Sequence, residues 1–423
     1  MTTPTIRLLF ATAEPCPTFR VDVTALFGKY LPRLGVVSDV VAERAPDIVG
    51  EVRWGGSEAL LTSMRSGRVW NFIAFASCVY TIFRADRASY QAIQVRDMPL
   101  LAVLGLLAAR LKKLPFFYWM SFPMPEGQIK LAQQRGLSAG LLRFLYPWLR
   151  GRVERFLLYR VVLPRADHVI VQSKKMRQAV AAKGIPKEKM TPVLMGVDLE
   201  VTRPERIAPS DDSRLSGRRV LIYLGTLNRS RRIDILFEML EIVRRKYSDV
   251  LLVLVGDAED QPHQRWLQQR AEQLGVADAT IWTGWLPIQE GWRYVRAAEV
   301  GLSPIPRGPL LDCGSPTKAL EYLALGVPVV GNDNPDQKLV LDEGDGGLCV
   351  PLAAEDFAQA VCRLLANEPL RRAMASSGQR YVGAWRSYHL LARAVADKYA
   401  KLLRLPENAT HALRDRNTAA DKP

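Results

Sequence analysis

The sequence predicts an α/β protein built from two doubly wound parallel sheets. Three observations carry this. The chain has 423 residues, and at roughly 100–200 residues per domain that is most simply two domains of similar size. Short apolar, β-branched runs alternate with helical patterns of about 10–18 residues along most of its length. A polar, turn-rich stretch over residues 205–217 (ERIAPSDDSRLSG) lies near the middle and reads as the linker. The boundaries are therefore expected at 1–205 and 206–386.

The elements follow in order. Residues 6–11 (IRLLFA) form the expected first strand, and 35–41, 92–95, 116–120 and 168–172 are the further strands of the first half. After about residue 215 the rhythm is cleaner, with strands over 219–225, 250–256, 280–283, 300–304, 328–331 and 347–351. Sheets of this kind hold ligands at the carboxyl ends of their strands. The tail over 406–423 is polar and free of Phe, Tyr and Trp, and is expected to be flexible.

Composition excludes several classes. Hydrophobic residues are 48% and charged residues 24%, ordinary for a folded protein and unlike a disordered, collagenous or coiled-coil chain. The longest apolar run, 100–109, stops at Arg110, far short of the ~20 residues that span a bilayer. No charged segment followed by a long apolar stretch opens the sequence, so no signal peptide is expected. The cysteines at 16, 78, 313, 349 and 362 are widely and irregularly spaced, which suits reduced thiols in a cytosolic compartment rather than disulfides or a zinc site. The four histidines form no metal-binding pair and stand near no serine motif. No metal and no cofactor are expected.

Charge is concentrated. The net charge of +15 divides into +13 for residues 1–200 and +2 for the rest, and residues 101–190 alone carry +13. Such a basic surface suits a polyanion or an anionic membrane face. Within it, residues 137–163 (LSAGLLRFLYPWLRGRVERFLLYRVVL) interleave Arg143, Arg150, Arg152, Arg155 and Arg160 with large apolar side chains. That mix suits an interfacial helix on an anionic membrane, with Pro147 expected to kink or break it. A buried helix with an arginine-rich outer face is the alternative. The apolar load is too heavy for a solvated nucleic-acid groove, and no nucleic-acid motif is present, so no nucleic-acid partner is expected.

Two segments of the second half carry candidate chemistry. In 221–236 (LIYLGTLNRSRRIDIL) a strand ends at Gly225, and a loop with Arg229, Arg231 and Arg232 precedes a helix. Arginines there are placed to hold a diphosphate, and cations at a helix start are otherwise unfavourable. In 314–331 (GSPTKALEYLALGVPVVG) Ser315 is the expected N-cap and Pro316 the first helical residue. The free amides of that helix start, with Ser315, Thr317 and Lys318, make an anion site, and Glu321 lies one turn on, in reach of sugar hydroxyls. An ordinary capped helix is the alternative.

The whole second half resembles the C-terminal domain of retaining glycosyltransferase family 4, the group 1 glycosyltransferases of GT-B fold. The resembling pieces run in family order: YLGTLNRSRRIDIL, VLLVLVGDAED, ATIWTGWLPIQEGWRYVRAAEVGLSPIP, GSPTKALEYLALGVPVVGND and EGDGGLCVPLAAEDFAQAVCRLL. PRADHVIVQSKKMRQAVAAKGIPKEKMTPVLMGVDLE and QVRDMPLLAVLGLLAARLKKLPFFYWMSFPMPE resemble the end and the middle of the family's N-terminal domain. The resemblance covers about residues 90–385. It implies two Rossmann-like domains facing a cleft, with a helix near 387–403 returning to the first.

The resemblance also implies site residues. The family's basic pair after the first strand of this domain falls on Thr226 and Arg231, with Arg229 and Arg232 as substitutes. The second of its two glutamates falls on Glu321, which would bind the donor ribose. The first falls on Cys313, with Asp312 beside it. Its glycines before this helix are reduced to Gly314, and the turn from Gly284 to Leu286 matches the region that frames the nucleotide base. In the first domain, YWMSFPMPEG follows a strand, and Ser121 and Glu126 are candidates for acceptor hydroxyls.

The activity expected is transfer of a hexosyl unit, with retention, from a nucleotide-diphosphate sugar to an acceptor hydroxyl. The acceptor is expected to be a lipid-linked glycan in surface-polysaccharide synthesis, on the inner face of the plasma membrane. A sugar-nucleotide epimerase of the same fold is one alternative, and a non-catalytic GT-B membrane partner, which Thr226 and Cys313 keep open, is the other.

Overall fold

The computed structural model describes residues 5–45, 50–62, 67–136 and 140–405. Residues 137–139 of the basic apolar segment and the tail over 406–423 lie outside them. Two compact units emerge: the chain up to Leu194 with the segment from Tyr388, and Met195–Ser387. The change of unit at Leu194 falls ahead of the polar stretch over 205–217. That stretch is held by its own polar groups: Ser210 N donates to Arg293 O at 2.9 Å, and Tyr294 Oη donates to Asp212 Oδ2 at 3.0 Å.

The first unit contains strands β1 (Ile6–Thr12), β2 (Val36–Glu43), β3 (Ala59–Thr62), β4 (Ala92–Arg96), β5 (Phe116–Met120), β6 (His168–Val171) and β7 (Met190–Pro192). They form one sheet in the order β3-β2-β1-β4-β5-β6-β7. All its pairs are parallel, with Ile6 opposite Val36 and Leu8 opposite Ala92. The central strands β1, β4 and β5 are buried along nearly their whole length, as strands covered on both faces must be, and β4 buries Gln94 and Arg96 among its apolar residues. The helix Tyr388–Leu402 packs on the helical residues 22–33 of this unit. Its Tyr388, Ala392, Val395 and Tyr399 join Phe10, Phe27 and Trp119 in one core, and Tyr399 Oη donates to Gln94 Oε1.

The second unit contains β8 (Arg219–Leu224), β9 (Val250–Val255), β10 (Thr280–Gly284), β11 (Val300–Ser303), β12 (Val329–Gly331) and β13 (Gly347–Cys349), in the order β10-β9-β8-β11-β12-β13. The strand order reverses between β8 and β11, which is where doubly wound sheets bind ligands. A buried ion pair closes this unit: Arg386 Nη2 meets Asp336 Oδ1 at 2.8 Å, and Val197 bridges to Ser387.

Both domains are thus the doubly wound α/β type expected. The strands β3 and β7 were not anticipated. Each is a short edge strand, half-buried in β3 and ending on proline in β7, so neither carries the apolar run that marks the others. Pro147 does not break its helix, which runs from Leu141 to Leu157. Among the described residues no helix is long and apolar enough to cross a membrane.

Candidate active site

The site is built at the carboxyl edge of the second sheet. The buried runs that close β8 and β9 lead into Gly225 and Gly256, with φ of +137° and +133°. Both conformations favour glycine. A Cβ on Gly225 would lie 2.6 Å from Lys318 Cε, and one on Gly256 would lie 2.4 Å from the Gly225 carbonyl oxygen. β10 ends on Gly284 at φ +71°. Gly225 N donates to Val255 O at 2.8 Å and Gly256 N to Gly284 O at 3.0 Å. The three strand ends therefore present backbone rather than side chains, and the Lys318 stem packs directly on Gly225.

Four side chains rise around this floor. Tyr223, buried in β8, places its ring under the Lys318 ammonium, 5.1 Å from the centroid. Lys318 and Glu321 stand at i, i+3 on the helix Lys318–Ala324, and so share a face. Tyr322 of that helix accepts the Leu224 N–H at 2.7 Å, which fixes the helix to β8. Trp292, from the helix Ile288–Arg296, donates through Nε1 to Glu321 Oε2 at 3.4 Å.

The electrostatics are unusual. Burial first, and then the Arg231 charge, bring the Lys318 pKa down to about 7 against the opposing charge of Glu321. Burial raises the Glu321 carboxyl above the ordinary range, against the bond from Trp292 and the charge of Lys318. Two cations thus face one locality with no ion pair to either among the described residues.

The three arginines separate clearly. Arg229 is spent on Glu259 at 2.9 Å and Asp260 at 3.0 Å. Arg232 is held by Asp234 at 3.1 Å. Arg231 has no carboxylate partner among the described residues. Thr226 is exposed, and its carbonyl accepts the Tyr223 hydroxyl at 3.0 Å. Leu286 is half-buried beyond Gly284.

Several expected residues are engaged elsewhere. The helix starts at Lys318, with Thr317 in the cap position and no side-chain cap bond, so Ser315 is not the N-cap and Pro316 is not helical. Ser315 Oγ accepts the Met195 N–H at 2.9 Å and donates to Asp336 at 2.5 Å. Those two buried groups need it more than the helix end does. Gly314 lies in the loop before it at φ −73°, open to any residue. Asp312 is held by Arg307 at 2.9 Å, and Cys313 is buried with Sγ on Pro309 O at 3.1 Å. In the first unit, Ser121 Oγ donates to the buried Asp97, and Glu126 pairs with Lys183. Sequence reading missed Gly256, Tyr223 and Trp292. The glycine closing VLLVLVG was a usable signal, whereas nothing local marks Trp292 as the partner of Glu321.

Two doubly wound parallel-sheet units define the GT-B class of fold, and the second holds a half-buried carboxyl and two cations without an ion pair among the described residues beside a glycine floor. The family is named by comparison. Residues 22–201 match the sequence model described as Glycosyltransferase Family 4, and residues 218–367 match that of Glycosyl transferases group 1. The chain belongs to this family.

A GDP-mannose-dependent alpha-(1-6)-phosphatidylinositol monomannoside mannosyltransferase of Mycolicibacterium smegmatis is 30% identical over 227 residues, 51% of this chain and 57% of that protein. An alpha-monoglucosyldiacylglycerol synthase of Streptococcus pneumoniae is 25% identical over 71% of this chain and 68% of its own. The match therefore spans between about half and two thirds of these relatives. The structure of a sucrose-phosphate synthase from Thermosynechococcus elongatus superposes with a TM-score of 0.70 at 18% identity, over 95% of this chain and all of that one. At that identity the likeness is one of fold.

Proposed function

We propose that the protein transfers a hexosyl unit, with retention, from a nucleotide-diphosphate sugar to a hydroxyl of a membrane lipid or lipid-linked glycan. One observation carries this reading: Lys318 packs on Gly225 and feels the Arg231 charge, and neither cation forms an ion pair among the described residues. Two buried-facing like charges cost free energy that a bound diphosphate offsets.

In this reading the bond between the anomeric carbon and the diphosphate oxygen breaks, and its electron pair stays on the diphosphate. Arg231 and Lys318 stabilise that developing charge from fixed positions, so no reorganisation is needed at the moment of reaction. The acceptor oxygen bonds the anomeric carbon on the same face, and its proton passes to the departing phosphate. No protein base and no metal is required. Glu321, oriented by Trp292, takes the ribose hydroxyls. Thr226 and Cys313, which depart from the family pattern, leave the diphosphate to Arg231 and Lys318. Gly284 and Leu286 frame the base. Ser121 and Glu126 reach acceptor hydroxyls only if Asp97 and Lys183 share them.

A membrane acceptor is supported by the relatives, whose names specify lipid products, and by the basic apolar helix of the first unit. The protein then works as a peripheral protein on the cytoplasmic face. The test is a panel of nucleotide sugars with detergent-dispersed lipid extract. Sugar appearing in the lipid fraction with the donor's anomeric configuration is expected. Consumption of donor to an isomer without acceptor, or no consumption at all, overturns the reading.

A further inference from the structure

The helix Leu141–Leu157 has two unlike faces. Its inner face packs on the helix Met124–Arg135, so closely that a Cβ on Gly151 would lie 2.8 Å from Ile129 Cγ1. On that side the buried Glu154 accepts from Arg150 at 2.7 Å and from Gln128 at 3.2 Å. The outer face exposes Leu142 (79%), Leu145, Tyr146, Leu149, Val153 and Phe156 (62%). These recur at spacings of three and four, which is one continuous stripe. The neighbouring helix Pro99–Lys112 adds exposed Leu107 and Leu111.

At the end of the stripe the surface becomes concave. A site of about 520 Å³ is lined by Arg152, Arg155, Phe156, Tyr159, Arg160 and Lys183. Arg152 lies over the Trp148 ring at 5.2 Å, and Lys183 over Tyr159 at 3.9 Å. Lys183 pairs with Glu126. Arg152, Arg155 and Arg160 have no carboxylate partner among the described residues. Four cations around one concavity are thus met by a single carboxylate.

We propose that this concavity binds the phosphate of an anionic phospholipid headgroup, while the apolar stripe beside it enters the acyl boundary of the same membrane. The choice of a lipid over a soluble phosphate follows from Phe156, which lines the site and is itself part of the stripe. A site for a free anion has no use for a contiguous row of exposed leucines. The commitment to a membrane rests on the acceptor reading above, but the site is argued from its own residues.

The test uses the full-length protein with sedimented vesicles of phosphatidylcholine, with or without phosphatidylglycerol. The wild-type protein is expected to bind the anionic vesicles at least tenfold more tightly. Each arginine near an anionic surface contributes roughly a fivefold factor. Arg155→Gln with Arg160→Gln should therefore weaken binding about twenty-fivefold. Lys174→Gln with Lys175→Gln removes the same charge from the exposed helix Lys174–Ala181 and should change it less than threefold. Unaltered thermal unfolding of both double variants shows that they fold.

Equal losses in the two double variants, or no preference for anionic vesicles, would overturn the proposal. The two readings fail separately. If vesicle binding is absent while sugar transfer to detergent-dispersed lipid proceeds, the headgroup site is wrong and the transferase stands. Binding as expected without transfer is the reverse.

Discussion

The Lys318 ammonium makes donor binding depend on pH in a way few other arrangements would. Its pKa of about 7 in the free protein means that about nine tenths of molecules carry the charge at pH 6, half at pH 7 and about a tenth at pH 8. A diphosphate beside it favours the charged form, so binding raises that pKa and takes up a proton above pH 7. The contribution is therefore fully present below pH 7 and is lost as pH rises through it. Between pH 6 and pH 8 the dissociation constant of a nucleotide sugar should rise about tenfold, or about 1.4 kcal/mol. A nucleotide sugar is the right probe because its phosphate diester does not titrate in this range, unlike a free nucleoside diphosphate. Calorimetry in two buffers of different ionisation enthalpy measures both the affinity and the proton uptake. Lys318→Gln should bind weakly and without this slope. A flat profile in the wild-type protein, or the same slope in Lys318→Gln, would refute the assignment of Lys318 to the diphosphate.

Three further outcomes are expected. Arg231→Ala should lower kcat/KM about 10²- to 10³-fold through loss of one fixed charge on the leaving group, while Arg229→Ala, whose charge is spent on exposed Glu259 and Asp260, should change it less than about fivefold. Arg386→Ala leaves Asp336 buried without its partner and should cost about 3–5 kcal/mol of stability in the second unit, seen as a lowered Tm. Transfer should survive an excess of chelator, since the reading routes no step through a metal.

Much of the fold was legible because it is written in local runs. VLLVLV and LIYL are short, wholly apolar and bounded by glycine, so their strands are recognisable without context. The edge strands β3 and β7 are not, because an edge needs neither burial on both faces nor length. The site divides in the same way. Gly225, Arg231, Lys318 and Glu321 sit in two short segments whose order and composition point to an anion. Which arginine is free could not be read from RSRR, because the acids that occupy Arg229 lie some thirty positions away at Glu259 and Asp260. The helix start was misplaced at Ser315 for a related reason. Serine before proline looks like a cap, but here its hydroxyl serves Asp336 and the Met195 amide, partners that only the fold brings near.

The most direct test of the donor site is thermal unfolding in the presence of UDP, GDP, ADP and their sugar conjugates, with the wild-type protein and with Arg231→Ala. A ligand at a hundred times its dissociation constant adds about 2.7 kcal/mol of stability. The account predicts that one nucleotide family raises the wild-type Tm clearly and leaves that of Arg231→Ala nearly where it was. No shift with any of them, or an equal shift in both proteins, would contradict it.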